Sequence, residues 1–195
     1  MNKSDIRRLI RQRRNSLTRP QRRAAATELL HTLRASRHFQ YSRRVALYLT
    51  NDAEIDTSVL IADLQRRGRH IFLPVLHPLR KGHLSFLPYT RNTPMTRNRF
   101  GIAEPDFRRS KAVSARFIGL VCMPLVAFDE QGNRLGMGGG FYDRTLMFMH
   151  KSGQKPALTG LAYELQKIEK LPAEPWDIAP DAVATERHYY HFSQH

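Results

Sequence analysis

The sequence predicts an α/β protein: a single-domain, three-layer sandwich whose mainly parallel central sheet is flanked by helices. Three observations carry that prediction. Arg44–Thr50 and His70–Leu76 are apolar, β-rich runs separated by a helical pattern, and strand, helix, strand within about thirty residues is a βαβ unit. A further buried-strand pattern, Phe117–Met123, leads through a Gly-rich loop into another helical stretch. The 195 residues, 41% apolar and 25% charged, suit one globular domain, and no internal repeat or Gly/Ser linker divides them.

Each element has a local reason. In Ser4–Leu17, Ile6, Leu9, Ile10 and Leu17 recur at helical spacing while Arg8, Arg11 and Arg14 fall elsewhere, giving an amphipathic helix with a basic face. Thr18-Arg19-Pro20-Gln21 reads as a capping box with proline in the first turn, so a second helix starts there with Ala25, Ala26, Leu29, Leu30 and Leu33 as its stripe. After the strand Arg44–Thr50, Thr57 or Ser58 can cap a helix carrying Val59, Leu60 and Leu64, which Gly68 ends. Beyond His70–Leu76, Leu84–Tyr89 is a further strand, whereas Thr90–Ala115 lacks periodicity and reads as a long irregular connection. Phe117–Met123 is a strand and Phe141–His150 a helix. Pro156–Tyr163 is a strand, Glu164–Lys170 a short helix and Ala182–Thr185 a last short strand. Residues 188–195 read as a loose tail.

Charge and cysteine content exclude several classes. The apolar run Phe117–Phe128, broken by Gly119 and Pro124, falls well short of the roughly 18 residues a membrane span needs. Arg-rich segments stand where a signal peptide would be apolar, so the expected location is the cytoplasm. The one cysteine, Cys122, cannot form an internal disulfide and reads as a reduced core residue. Net charge is +15, and it is uneven: residues 1–44, including the basic helices of 1–38, carry 13 Lys/Arg against 2 Asp/Glu. Such a segment calls for an anionic partner or a solvated face.

The strongest chemical signal is Asn133-Arg134-Leu135-Gly136-Met137-Gly138-Gly139-Gly140-Phe141-Tyr142-Asp143-Arg144, between a strand and a helix. Four glycines in five residues let backbone N–H groups approach an anion, and the following helix N-terminus, Arg134 and Arg144 can add positive charge. It is neither a Walker A loop nor a dinucleotide fingerprint, because no Gly-Lys-Ser/Thr follows and Phe141 stands where a third glycine belongs. Asp143 can cap the helix or hold Mg²⁺ beside a phosphate. Lys3 and Arg7, four apart, can share a helical face and clasp a polyphosphate. Glu54 stands beyond the carboxyl end of the first strand, where α/β folds contact ligands. Asp177 and Asp181 can each be a second metal-linked carboxylate or a turn former. The nine histidines are too dispersed for a zinc site.

The Gly-rich segment and its surroundings resemble the 5-formyltetrahydrofolate cyclo-ligase family, also called 5,10-methenyltetrahydrofolate synthetases. The resemblance rests on Pro124-Leu125-Val126-Ala127-Phe128-Asp129, Gly132–Gly136 and Gly138–Arg144, and extends to Lys3 and Arg7, to Leu49 and Glu54, and to Trp176-Asp177. It implies ATP- and Mg²⁺-dependent closure of 5-formyltetrahydrofolate to 5,10-methenyltetrahydrofolate, with the formyl oxygen attacking the γ-phosphate and N10 then closing the ring. By resemblance, Lys3, Arg7, Arg134, Leu135, Gly136, Met137, Gly138, Gly139, Gly140, Phe141 and Tyr142 bind ATP. Leu49, Glu54 and Met137 to Phe141 meet the folate. Arg134, Tyr142 and Asp143 are catalytic, and Asp143 with Asp177 are the metal-linked carboxylates. The chain departs from more basic versions of the motif, which carry Arg, Lys and Tyr at the positions of Met137, Gly139 and Phe141. The basic N-terminal half can also attract the polyglutamate tails of folates. A monomer with no specific nucleic-acid or membrane partner is expected.

Two rivals stand beside this reading. A nucleic-acid-binding protein would use the Arg-rich helices on phosphate, but no binding module is present. A sugar-phosphate isomerase or CoA transferase of related architecture would need a carboxylate base or nucleophile and no ATP.

Overall fold

Side-chain chemistry sets where the helices begin. The computed structural model describes residues 1–151 and 155–192. Helix α1 (Lys3–Asn15) starts at Asn2, whose side chain accepts the Asp5 N–H, so the helix does reach back to Lys3. Helix α2 (Arg19–Arg34) opens with the expected Thr18/Gln21 capping box, and α3 (Arg37–Tyr41) delivers the chain to strand β1 (Arg44–Ala46). Helix α4 (Ser58–Arg66) is entered differently from the expectation. The Thr57 hydroxyl donates to the Tyr48 carbonyl instead of capping, and Asp56 accepts the Ser58 N–H. Gly68, at φ 64°, ends it as expected.

The remaining strands are β2 (His70–Leu76), β3 (Leu84–Tyr89), β4 (Met95–Arg97), β5 (Ala103–Pro105), β6 (Leu120–Pro124), β7 (Ala127–Phe128) and β8 (Arg134–Leu135). Helix α5 (Phe141–Leu146) follows, then β9 (Ala157–Leu161), β10 (Ala182–Ala184) and β11 (Tyr189–His191). Seven of these form the main sheet in the order β11-β10-β9-β6-β1-β2-β3. Strands β10, β9, β6, β1 and β2 run parallel, and the two edge strands are antiparallel. The mainly parallel sheet of the sequence reading is therefore present. From β1 the chain winds one way to β2 and β3, then returns to the other side for β6, β9 and β10. That reversal opens a crevice beyond the carboxyl ends of β1 and β6, where α/β sheets bind ligands.

Strand alternation fills both faces. Val45, Leu120 and Cys122 pack beneath α2 and α4 with Leu29, Leu33, Leu60 and Leu64. Ala46, Val121 and Met123 face the other way, toward Leu146 of α5 and Ile178. Each large side chain buried this way contributes about 1.5–3 kcal/mol. A smaller cluster, Ile6 and Ile10 with Val126, Ala127 and Leu135, docks α1 on the β7–β8 hairpin. That contact is what carries the basic helix to the Gly-rich loop. Buried Asp129 ties the hairpin together by accepting the N–H groups of Gln131, Asn133 and Leu171.

Several boundaries differ from the expectation. The first strand leaves the sheet after Leu47, whose N–H still reaches the Phe72 carbonyl, because Tyr48 and Leu49 turn into the crevice. The connection at 90–115 contains the β4–β5 hairpin, tied to the end of β2 by Glu104, which accepts the Leu76 N–H. The helix at 141–150 is α-helical only to Leu146 and continues as a 3₁₀ turn, Met147–His150. The short helix at 164–170 shrinks to the turn Glu164–Gln166, whose Gln166 amide donates to the Leu125 and Val126 carbonyls.

The loose tail is also corrected. Tyr189–His191 is strand β11, because Tyr189 donates to Ser36, Tyr190 donates to Glu164, and Tyr190 and Phe192 pack on Phe128 and Val183. The rest of that tail, 193–195, lies outside the described residues. No helix among the described residues is long and apolar enough to cross a membrane.

Candidate active site

The crevice at the strand reversal is a cavity of about 460 Å³, within the range of small-molecule sites. One wall is the segment after β1, with Tyr48, Leu49 and Glu54. The facing wall is the Gly-rich segment, with Arg134, Gly136, Met137, Gly139, Gly140, Phe141, Tyr142 and Asp143. Thus most of the residues singled out in sequence meet around one space, although 80 residues separate Glu54 from Arg134.

The Gly-rich loop is held from two sides. Arg7 of α1 donates through Nε to the Gly136 carbonyl at 2.9 Å, and its guanidinium lies against Gly138. Arg144 donates to the Gly139 carbonyl and, at 3.0 Å, to the Gly82 carbonyl. Both arginines therefore grip carbonyls. Met137 and Gly138 make no hydrogen bond within the described residues, and Met137 lines the cavity. Gly138 at φ 97° and Gly140 at φ 59° need the left-handed region, where a side chain is strained.

Arg134 does more than face the cavity. Its side chain is 4% exposed, its Nε donates to the Ile178 carbonyl at 2.8 Å, and its Nη2 pairs with Oδ1 of Asp143. Oδ1 also accepts the Ile178 N–H at 3.1 Å. Asp143 is thereby locked to the chain beside Asp177. Burial, then the nearby Glu54 carboxylate, pushes the Tyr142 phenol above its usual range against the opposing effect of Arg134, so it stays a hydrogen-bond donor at neutral pH.

Glu54 is presented by a tight turn. Its N–H donates to the Asn51 carbonyl at 3.0 Å, and its carboxylate accepts the Asn51 N–H at 3.2 Å. Asp52 and Ala53 between them are left-handed, at φ 49° and 54°. For an alanine that conformation costs about 1–2 kcal/mol. Burial, with a smaller push from Asp52, raises the Glu54 carboxyl from 4.5 to about 7, against the Asn51 N–H and Arg14. The Cys122 thiol beneath the sheet, pushed up to about 12 by burial, is inert.

Some expected residues stand elsewhere. Leu135 is a core residue under α1, not part of the wall. Lys3 lies by Glu174 at 3.5 Å and Asp177 at 3.8 Å rather than on the cavity. Asp181 accepts the Leu158 N–H at the start of β9, toward the end of the sheet opposite the crevice.

The sequence reading missed Phe100. It stands 56% exposed at the tip of the β4–β5 hairpin, lines the cavity, and meets Phe141 edge-on with ring centroids 6.1 Å apart. Asn98-Arg99-Phe100-Gly101 was the available signal. Asn98 accepts the Phe100 and Ile102 N–H groups, and Gly101 takes φ 75°.

The model of the 5-formyltetrahydrofolate cyclo-ligase family matches residues 1–186. The chain belongs to the 5-formyltetrahydrofolate cyclo-ligase family. It is similar to the 5-formyltetrahydrofolate cyclo-ligase of Haemophilus influenzae, 42% identical over 177 residues that cover 90% of this chain and 93% of that one. The cyclo-ligase of Escherichia coli K12 is 41% identical over 177 residues, covering 91% and 96%. Among solved structures, the NMR structure of Aquifex aeolicus 5,10-methenyltetrahydrofolate synthetase superposes with a TM-score of 0.83 at 28% identity, covering 100% of this chain and 95% of that one. The synthetase from Mycoplasma pneumoniae, at 23% identity, shares the fold with a TM-score of 0.74 over 96% of this chain and 100% of its own. The chain is thus a cyclo-ligase enzyme.

Proposed function

We propose that this chain closes 5-formyltetrahydrofolate to 5,10-methenyltetrahydrofolate with conversion of ATP to ADP and phosphate, acting as a cytoplasmic monomer. The observation that carries the reading is the pairing of a Gly-rich, arginine-braced wall with a Glu54 wall across one cavity. Phosphoryl transfer needs positioned reactants and stabilised charge more than a protein nucleophile, and that is what this site supplies. The formyl oxygen attacks the γ-phosphorus and ADP leaves. N10 then attacks the activated formyl carbon, loses its proton, and phosphate departs as the ring closes. The open N–H groups of the Gly-rich loop receive the nucleotide, and Arg7, Arg134 and Tyr142 set its surroundings. Leu49, Glu54 and the loop from Met137 to Phe141 hold the folate. Its polyglutamate tail is drawn to exposed Arg19 and Arg23, which line a second cavity on the far side of the Asn51–Glu54 turn.

Mg²⁺ fits as a companion of the phosphates. No cluster of three or more His, Cys, Asp or Glu among the described residues could cage a metal. Mg²⁺ is ordinarily held by one or two carboxylates plus substrate phosphates and water. Both partners of Asp143 fall on Oδ1, which leaves Oδ2 as the oxygen that would meet the ion. Asp177 stands one residue from the Ile178 N–H that Asp143 binds, its Oδ2 accepts the Glu174 N–H, and it would be the second carboxylate of this arrangement. Bound there, the ion neutralises phosphate charge. Replacing Asp143 with asparagine should raise the Mg²⁺ concentration for half-maximal rate about tenfold, as a lost charge partner predicts. An unchanged Mg²⁺ titration removes the assignment.

The deciding experiment mixes the protein with Mg-ATP and 5-formyltetrahydrofolate and follows methenyl-folate absorbance together with ADP, omitting each reactant in turn. One-to-one formation supports the reading; silence from folded protein overturns it. In the same assay, Phe100→Ala should raise the KM for the folate about fivefold, because an exposed ring stacked over a ligand is worth on the order of 1 kcal/mol. Its Tm and the KM for ATP should hold.

A further inference from the structure

Helix α1 also reaches the folate wall. Arg7, Arg11 and Arg14 recur at spacings of four and three, so they share one helix face. Arg7 holds the Gly-rich loop, while Arg11 and Arg14 both bond Oδ2 of Asp52 at 3.0 Å. Arg14 is 1% exposed, its Nε has no partner among the described residues, and the helix end that bears it is fixed by Arg22, which donates to the Arg14 carbonyl at 3.1 Å. A buried arginine of this kind is poor evidence for added stability, since an apolar residue of like volume often serves as well. Its use is better sought in what it holds in place. What it holds is the left-handed pair Asp52-Ala53, a conformation these residues keep only when their surroundings impose it.

We propose that the ion pair of buried Arg14 with half-buried Asp52, assisted by Arg11, is a positioning clamp for the Asn51–Glu54 turn, through which α1 sets the place of Glu54 in the folate wall. The naming of folate as the ligand of that wall rests on the cyclo-ligase reading. Arg14 touches no reactant; it acts through Asp52.

The test uses a compensation that only this role predicts. Glycine adopts the left-handed region freely, so Ala53→Gly should rebuild the turn when the clamp is lost. Arg14→Met is expected to raise the folate KM about tenfold with the KM for ATP within about twofold, and Asp52→Asn to do the same. As members of one pair, the two together should be no worse than either alone. Arg14→Met/Ala53→Gly should return the folate KM to within about threefold of the parent. Amide exchange at Glu54, whose N–H donates to Asn51, is read without substrate. It should quicken about tenfold in each single variant and slow again when Ala53→Gly is added. If Arg14→Met fails to fold, Asp52→Asn with and without Ala53→Gly carries the same comparison. Unchanged exchange, additive losses, no rescue by glycine, or equal rises in both KM values overturn the clamp. A parent enzyme that never turns over the folate overturns the cyclo-ligase reading instead, and the exchange data still decide the clamp.

Discussion

Replacing Arg134 with alanine should lower both stability and ATP use. The substitution leaves the Asp143 carboxylate, 21% exposed, with the Ile178 N–H but no charge partner, and the Ile178 carbonyl without its guanidinium donor. Breaking a buried pair by removing one partner costs about 3–5 kcal/mol, and the partial exposure of Asp143 places this case near the lower end. For a chain of this size each kcal/mol moves Tm by about 2–4 °C, so a fall of about 6–12 °C is expected. Loss of a full charge beside the transferred phosphate should reduce kcat/KM for ATP by about 10²–10³-fold. Arg134→Lys should fall between, because an ammonium cannot serve Ile178 and Asp143 with the geometry of a guanidinium fork. Thermal melts and kinetics on the same folded protein separate the two effects. Ordinary turnover with a lowered Tm would make Arg134 a strut alone, and a parental Tm with lost turnover would assign it wholly to the nucleotide.

The dual duty of Arg134 marks where sequence reading stops. Its charge and its place in a Gly-rich motif point to phosphate, but its structural partners, Asp143 and Ile178, come from across the fold. Lys3 shows the same limit: the helix that carries it was legible from local spacing, while Glu174 and Asp177, about 170 positions away in the chain, were not. Elements defined by near neighbours were readable. The Thr18/Gln21 box, the Gly68 stop and the apolar runs of β2 and β6 all encode themselves within a few residues. The β4–β5 hairpin did not, because strands of three residues, one of them exposed throughout, carry no countable period. It is held by Asn98 and Glu104 side chains, and so Phe100 was overlooked. The Gly-rich wall was found through its own composition. Glu54 was found as a position after a strand and through the family resemblance, while its raised pKa depends on burial that the fold creates.

That acidity gives the second large effect. A folate pterin offers adjacent N–H donors, which a carboxylate accepts well and a protonated carboxyl poorly. With the Glu54 carboxyl at about 7, kcat/KM for the folate should rise about tenfold per pH unit below that point and level off above it. Glu54→Gln should cut kcat/KM by about 10²-fold at pH 8 and flatten the profile between pH 6 and 8. Stability should move the other way. A carboxyl raised from 4.5 to about 7 on folding contributes its stability below the lower value and loses it as pH rises through the upper one. The neutral glutamine escapes that loss, so the variant should melt higher than the parent at pH 8 and about equally at pH 5. Opposite movements of activity and Tm at pH 8 identify a group kept in an unfavourable charged state for the sake of its ligand. A lower Tm at both pH values, with a loss of kcat/KM that does not depend on pH, would make Glu54 a part of the scaffold.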